Sequence, residues 1–507
     1  MTINFNPGPS QPYPKIESFI ADALSDGVAG WSHRSPEFSS MLTYTENNLR
    51  LLLEIPTDYH VWFLASATEA MERIIQNTVS TTSYHIEMGA FSAKFATIAE
   101  QLGKTVIRST AEWGSRPDLD QLVVPDDVEL IAVTHNETST GVALDVGTIN
   151  RLHSRYPKPL LAVDMVSSAP LTGLDLYQTD LAFFSVQKAF GLPSGLGVLI
   201  ASPRALDTAS RLLAAGQVIG SYHSFLSLAK SAAKHQTPET PNGLGIYLLG
   251  RVASDMLDIG LTTIRSQIDQ QAAAIYTALE THPHLRPLVT NPVFRSSTVI
   301  VAEITGNNGQ LLDSLSAVGH MVGKGYAHQR NSHIRIANFP AHIGTTPKLI
   351  NLLGTGEMNS IKTAQHPGIG VGTYLIRDNR VLMGFRTTGH ASGVWAPPGG
   401  HIEFGESPAQ AASREVREET DLTIPIEAWR LGAVTNDLFA QNKKHYFTFA
   451  LMADCPIGEP KVMEPYKLQE WSWFRISELP QPLMISVQNA LEAGLDLSGA
   501  ETVVTNI

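Results

Sequence analysis

The sequence predicts an α/β protein made of two tandem units, each with a sheet of its own. Three observations carry that expectation. The chain of 507 residues is longer than one hydrophobic core usually organises. From about residue 15 to 250, short apolar runs alternate with longer amphipathic segments, the pattern of a sheet with crossover helices. Between Gly354 and Pro367 the stretch GTGEMNSIKTAQHP loses apolar periodicity and collects small and polar residues. The linker is therefore placed at 355–366, with the first unit at 1–354 and the second at 367–500.

In the first unit the runs Val61 to Leu64, Leu130 to Thr134, Leu160 to Val163, Leu181 to Ser185 and Val198 to Ala201 read as strands. They are apolar at both odd and even positions, as strands covered on both faces are, so the sheet is expected to be mostly parallel with helices on both sides. One long helical stretch, Gly243 to Thr281, leads into a strand at Ser297 to Ile304 and a helix-strand-helix ending near Leu353. This reads as a smaller α/β lobe over about 255–354. In the second unit Val371 to Ile376 and Arg380 to Gly384 read as strands. Ser407, Pro408 and Gln410 form a capping box with proline at the first helical position, so a helix should start at 408.

Composition narrows the function classes. A formal charge of −12 argues against a nucleic-acid polymer as partner, because grooves for such polymers carry excess Lys and Arg. The only cysteine, Cys455, permits neither an intrachain disulfide nor a cysteine zinc site. The first fourteen residues are rich in proline and glycine, and no run of ~20 apolar residues follows, so neither a signal peptide nor a membrane span is expected and the location should be cytoplasmic.

Two constellations carry chemistry. From Gly400 the chain reads GHIEFGESPAQAASREVREETDL, with Glu406, Arg414, Glu415, Glu418 and Glu419 at fixed intervals. On a helix Glu415 lies three and four residues from Glu418 and Glu419, which sets these carboxylates on one face. Like charges so placed repel, and a hard divalent cation, Mg2+ or Mn2+, would stabilise them while bridging phosphate oxygens and activating water. The loop Pro397-Pro398-Gly399-Gly400 lets backbone approach metal and phosphate closely. In the first unit Asp164 ends one apolar run and Lys188 follows the next, which places both at carboxyl ends of strands, where open α/β sheets bind ligands. A lysine there can bond the aldehyde of pyridoxal 5'-phosphate (PLP), and a nearby carboxylate can keep the ring nitrogen protonated.

The spaced glutamates resemble the Nudix box, G-x5-E-x7-R-E-x-x-E-E-x-G, with Asp421 where glycine is usual. The resemblance spans roughly Pro367 to Asp496, and WAPPGGHIEFGES and EPYKLQEWSWFRISELP look like the subgroup that hydrolyses nucleoside triphosphates. It implies an α/β/α sandwich in which Gly400, Glu415, Glu418 and Glu419 hold metal, Glu415 and Glu418 are catalytic, and Glu406 and Arg414 brace the loop and helix. Trp395, His445 and Tyr446 are candidates to stack on a base or to pack.

In the first unit NFNPGPS, SHRSPEF, THNETSTG and RIANFP resemble, in that order, class V aminotransferases of the fold type I PLP superfamily, nearest to phosphoserine aminotransferases. The resemblance covers about 3–353. It implies Lys188 as the Schiff-base lysine, Asp164 as the ring-nitrogen partner, Thr138 at the ring hydroxyl, and Gln187 beside the lysine. Ser66 and Ala67 would hold the cofactor phosphate at a helix start, and Phe91 would stack on the ring. Thr237 would reach the phosphate of a neighbouring subunit, which implies a homodimer. Arg335 matches the clamp for the substrate α-carboxylate, and His33, Arg34, His328 and Arg330 would receive its side-chain anion. Thr68 and Glu69 stand where some phosphoserine enzymes carry an arginine, so an alanine- or serine-glyoxylate type of aminotransferase stays open, as does a PLP-fold scaffold that has lost catalysis. The small-molecule substrates implied are an amino acid, a 2-oxo acid and a nucleotide. Cysteine desulfuration, also a class V activity, is excluded by the lack of any cysteine in the first unit.

Overall fold

In the computed structural model the apolar runs of the first unit assemble into a seven-stranded sheet. Its order is His60–Leu64, Gly197–Ala201, Leu181–Ser185, Leu160–Asp164, Leu130–Thr134, Thr82–Glu87, Thr105–Thr110. Only Gly197–Ala201 runs against its neighbours. The structure describes residues 2–305, 308–354, 367–387, 392–403, 405–439, 444–455, 457–465 and 467–498, so the expected linker, 355–366, lies outside the described residues. The chain divides into two compact units, 1–361 and 362–507.

Alternation along the strands explains their apolarity at every position. Ala182 and Phe184 join one hydrophobic cluster while Leu181 and Phe183 join another, so the sheet separates two cores. Two strands, Thr82–Glu87 and Thr105–Thr110, were not anticipated because they are polar. Their polar groups find partners inside: Ser83 Oγ and His85 Nε2 are 3.0 Å apart, and the Glu87 carboxylate pairs with Arg108.

The smaller lobe holds a five-stranded sheet in the order Ile3–Phe5, His320–Lys324, His333–Ala337, Val299–Ile304, Leu285–Pro287. The N-terminal strand thus completes a sheet whose other members lie near the end of the unit, pairing in parallel with His320–Lys324. The single helix expected over 243–281 is two, Gly243–Ile259 and Leu261–Thr281. Gly260, at φ 89°, takes a conformation no helix interior allows and so separates them.

In the second unit the sheet order is Trp395–Ala396, Arg380–Arg386, Gly368–Arg377, Lys444–Asp454, Arg430–Phe439, with Gly399–His401 and Leu468–Arg475 paired at its side. The helix Pro408–Thr420 starts where the capping box places it: Ser407 Oγ accepts from the Gln410 amide at 3.3 Å, and Gln410 Oε1 accepts from the Ser407 amide at 2.8 Å. Its buried Ala411, Ala412 and Val416 cover one face of the sheet, and Val487 and Ala490 of the helix Ile485–Glu492 cover the other. Among the described residues no helix is long and apolar enough to cross a membrane.

Candidate functional site

Asp164 is the last residue of its strand, and the neighbouring strand Leu181–Ser185 leads through Val186 and Gln187 to Lys188. Both side chains are closed off from water, Lys188 at 7% exposure and Asp164 at 3%. Lys188 Nζ donates to Thr138 Oγ1 at 3.0 Å and lies 5.3 Å from the centre of the Phe91 ring. Asp164 Oδ1 accepts from the Val166 amide at 2.9 Å. Burial pushes the Lys188 amine down and the Asp164 carboxyl up, while their mutual attraction opposes both shifts. An amine with weakened hold on its proton is a nucleophile, and a buried carboxyl gains most from a cationic partner.

The loop carrying Thr138 is held by a residue that sequence reasoning missed. Glu137, fully buried, accepts from the Ser92 amide and hydroxyl at 2.9 Å each, from the Ser139 amide at 3.1 Å and hydroxyl at 2.7 Å, and from the Phe91 amide at 3.3 Å. The carboxylate meets the start of the helix Ala90–Gln101, where unpaired amides favour negative charge. It therefore fixes Phe91 and Thr138 together.

Other expected residues fall around this centre unevenly. Ser66 caps the helix Ala67–Thr78 by accepting from the Glu69 amide at 3.1 Å, but the Ala67 amide already donates to Ser185 Oγ at 2.9 Å. Arg335 is half-buried; its Nε donates to the Lys324 carbonyl at 2.8 Å, its guanidinium lies 5.4 Å from the Tyr326 ring, and its charge acts on Lys188. Tyr326 in turn packs 4.9 Å from Phe91. Thr237 is buried and donates to the Glu239 carbonyl at 2.7 Å.

The anion-receiving cluster expected from His33, Arg34, His328 and Arg330 is not assembled within one chain. His33 Nδ1 lies 3.3 Å from Thr240 Oγ1, and Arg34 donates to Gln236 Oε1 at 2.6 Å, so both are tied to the segment 236–240. His328 and Arg330 are exposed on the turn after His320–Lys324, where His328 packs 5.0 Å from Trp113. Among the described residues no hydrogen bond, ion pair or ring contact joins the two pairs.

These side chains fit a pyridoxal-type cofactor. A buried amine can bond its aldehyde, a buried carboxyl can face its ring nitrogen, and Phe91 offers an apolar face. Beside them Gln187 Oε1 is buried with no hydrogen-bond partner among the described residues, an acceptor in want of a donor.

The second unit gathers its acidic residues along a cleft of about 480 Å³ whose wall includes Gly399, Gly400, Glu415, Glu418, Glu419 and Arg386. Arg414 holds Glu406 through two bonds, 2.8 and 2.9 Å, and Glu406 drops to about 2 because of that pairing. The same guanidinium reaches Glu415 at 2.9 Å and Glu418 at 3.3 Å, and also the His401 carbonyl at 2.9 Å. Glu419 accepts from the Gly399 amide at 3.1 Å. Burial pushes Glu415 up and Glu419 up to about 7. At Gly400 a Cβ would lie 2.3 Å from Glu415 Oε1, so any larger residue there would push the Glu415 carboxylate aside.

The expected convergence of the three helix carboxylates is only partly realised. They line one cleft, yet among the described residues no three acidic or histidine side chains stand close enough to share one ion. Their repulsion is relieved by Arg414 between Glu415 and Glu418 and by the Gly399 amide at Glu419. The donor set, carboxylates with two glycines beside them, fits a hard divalent cation. Of the aromatic candidates, Tyr446 lines the cleft 5.4 Å from the His401 ring. Trp395 packs on Phe385 and Phe474 at 5.2 and 4.8 Å, and His445 bonds Asn436.

Residues 3–329 match the family described as Aminotransferase class-V, and residues 366–492 match the NUDIX domain. The crystal structure of phosphoserine aminotransferase SerC from Cytophaga hutchinsonii is 42% identical, with a TM-score of 0.69 over 70% of this chain and 98% of that one. Phosphoserine aminotransferase of a Nocardioides species is 29% identical over 350 residues, 66% of this chain and 90% of the relative. Ureidoglycine-glyoxylate aminotransferase from Bacillus subtilis, 19% identical, shares the fold with a TM-score of 0.61 over 71% of this chain and 93% of its own.

Proposed function

Since the chain belongs to the class-V aminotransferases and carries a NUDIX domain, a PLP-dependent transferase joined to a Nudix hydrolase, we propose that its first unit transfers the amino group between phosphoserine and 2-oxoglutarate, and that its second hydrolyses nucleoside triphosphates with Mg2+ or Mn2+. The observation that carries the first half is the buried pair Lys188 and Asp164 at adjacent strand ends. The substrate reading is supported by the relatives named phosphoserine aminotransferase.

PLP, when bound, supplies an aldehyde for covalent attachment and a protonated ring that withdraws electrons from the substrate carbon. Lys188 provides the attaching amine and, with its proton weakly held, moves a proton at Nζ. Asp164 keeps the ring nitrogen protonated, Thr138 orients Nζ, Gln187 supplies a hydrogen-bond acceptor, and Phe91 covers one face against water. Ser66 and Ala67 bring the start of their helix to the cofactor phosphate. Arg335 clamps the substrate α-carboxylate. His33, Arg34, His328 and Arg330 receive the distal phosphate, and a homodimer explains why they come as two separate pairs. If Thr237 serves the neighbouring subunit, His33 and Arg34, bonded to the same segment, go with it.

In the second unit a divalent cation, when bound, would polarise the phosphoanhydride and make the attacking water more acidic. Glu415, Glu418 and Glu419 with the Gly400 backbone would hold the cation by drawing in from their separate places along the cleft, Glu415 and Glu418 would serve as the catalytic carboxylates that orient and deprotonate the water, and Glu406 holds Arg414 in place. Water attacks phosphorus, and the bridging P–O bond breaks.

One preparation of variants tests both halves. Lys188→Ala should lose the visible absorbance band of protein-bound PLP, and Glu418→Gln should lower Mg2+-dependent phosphate or pyrophosphate release by on the order of 10²-fold while leaving that band intact. An unchanged band in the first variant, or an unchanged rate in the second, overturns the corresponding half.

A further inference from the structure

Three segments of the first unit meet at one imidazole. His223, at 3% exposure, has Nδ1 2.5 Å from Glu69 Oε1 and Nε2 2.8 Å from Glu239 Oε2, the second contact bent into an ion pair rather than a straight hydrogen bond. Glu69 is the third residue of the helix Ala67–Thr78, and its other oxygen accepts from the Ala65 amide at 2.9 Å. Glu239 follows two residues after Thr237, whose hydroxyl bonds the Glu239 carbonyl. The same segment holds Arg34 and His33, and Asn242 donates to the Gly195 carbonyl at 3.1 Å in the turn after Lys188. His223 therefore fastens the helix start assigned to the cofactor phosphate to the segment bearing Thr237.

The charges make the imidazole more than a spacer. A carboxylate in the first turn of a helix repels a phosphate approaching the same end, and Glu69 is such a carboxylate. Around it stand Glu72 and Arg73 on its own helix, Arg73 Nε at 3.7 Å from Glu69 and Nη2 at 3.2 Å from Glu72. Lys94 of the helix Ala90–Gln101 donates to Thr68 Oγ1 at 2.9 Å, and the Tyr222 ring lies 4.0 Å from His223. Of the two carboxylates flanking His223, only Glu69 has an arginine paired with it among the described residues.

We propose that His223 is a positioning residue for the cofactor phosphate: as an imidazolium between Glu69 and Glu239 it cancels negative charge at the phosphate-binding helix start and docks the 236–242 segment there. This rests on the reading that Ser66 and Ala67 receive the phosphate. Burial alone would push the imidazole down, but pairing with Glu239 and Glu69 outweighs it and lifts His223 to about 9. The value in the folded chain is above the ordinary 6.5, so the contribution is complete below 6.5 and is lost as pH rises through 9.

The test is equilibrium binding of PLP, and separately of pyridoxal lacking the phosphate, to full-length protein between pH 6.5 and 10, with thermal unfolding of the cofactor-free protein as a control. Relative to His223→Asn, wild type should bind PLP about tenfold more tightly at neutral pH, the effect of one pKa unit, and lose that advantage with a midpoint near 9. Pyridoxal should not distinguish the two proteins. Equal weakening of PLP and pyridoxal, or the same pH profile in both proteins, overturns the proposal. Should His223→Asn not fold, Glu239→Gln serves in its place and should move the midpoint downward; an unmoved midpoint overturns it equally. Wild type that binds no PLP overturns the reading of the site itself, a separate outcome.

Discussion

A methyl group at position 400 would meet the Glu415 carboxylate, its nearer oxygen at 2.3 Å and its carbon at 2.6 Å. Gly400→Ala should therefore displace Glu415 and slow metal-dependent hydrolysis by roughly 10²-fold, the loss that a misplacement of about 1 Å brings. Assaying phosphate release checks this, and a wild-type rate would show that the loop does not set the position of Glu415. At this scale the sequence was informative wherever a side chain's place follows from spacing. Asp164 and Lys188 were legible because strand ends present ligand groups, and Glu406 with Arg414 because their interval is fixed. Glu137 was not, since a glutamate among threonines and serines reads as solvated; its burial depends on a helix start contributed by residues 89–92. His223 was illegible for the same reason, its two partners lying 154 residues before it and 16 after it.

The helix Pro408–Thr420 owes its start to a reciprocal pair of hydrogen bonds at Ser407. Ser407→Ala removes the side-chain half and should cost the second unit about 1 kcal/mol, measured as a shift of its denaturant midpoint. A shift within error would mean that packing of Ala411, Ala412 and Val416 alone fixes the first turn. Local chemistry of this kind made the helix readable to the residue, and it also places Asp421, at φ 62°, in the left-handed conformation expected of its cap. Elements without a local signature were harder. Thr105–Thr110 shows no alternation, and Thr82–Glu87 alternates only through Tyr84 and Ile86, too short a signal to tell from a loop; core packing of those two and tertiary partners for His85 and Glu87 complete the strand. Gly260 was visible, but periodicity continuous on both sides concealed that it separates two helices.

Among the described residues each unit carries its own set of cores, three clusters in the first and three in the second. Calorimetry should resolve two unfolding transitions, with PLP raising only one and a nucleotide with Mg2+ only the other. One transition raised by both ligands would contradict this. The division was legible because apolar periodicity lapses between 354 and 367, whereas the N-terminal strand's place in the smaller lobe was not, since its partners lie at the far end of the unit. The Ile3 amide donates to the Gly319 carbonyl at 2.8 Å, and His342 Nε2 meets the Asn4 carbonyl at 2.9 Å across 338 positions. Between these ties and the lysine turn lies Gly8, packed against the Lys188 stem so closely that a Cβ there would come within 3.1 Å of Cε. A ribosome releases residues 3–8 long before 319–342 exist, so while the chain is being made the cover over Lys188 is held at one end only, by the Ser10 and Tyr13 amides on the Gln187 and Gly191 carbonyls. The strand half of that cover, Ile3–Phe5, gains its partner only after nearly the whole unit has been synthesised, which makes the final closing over the lysine a late event in the life of each new molecule.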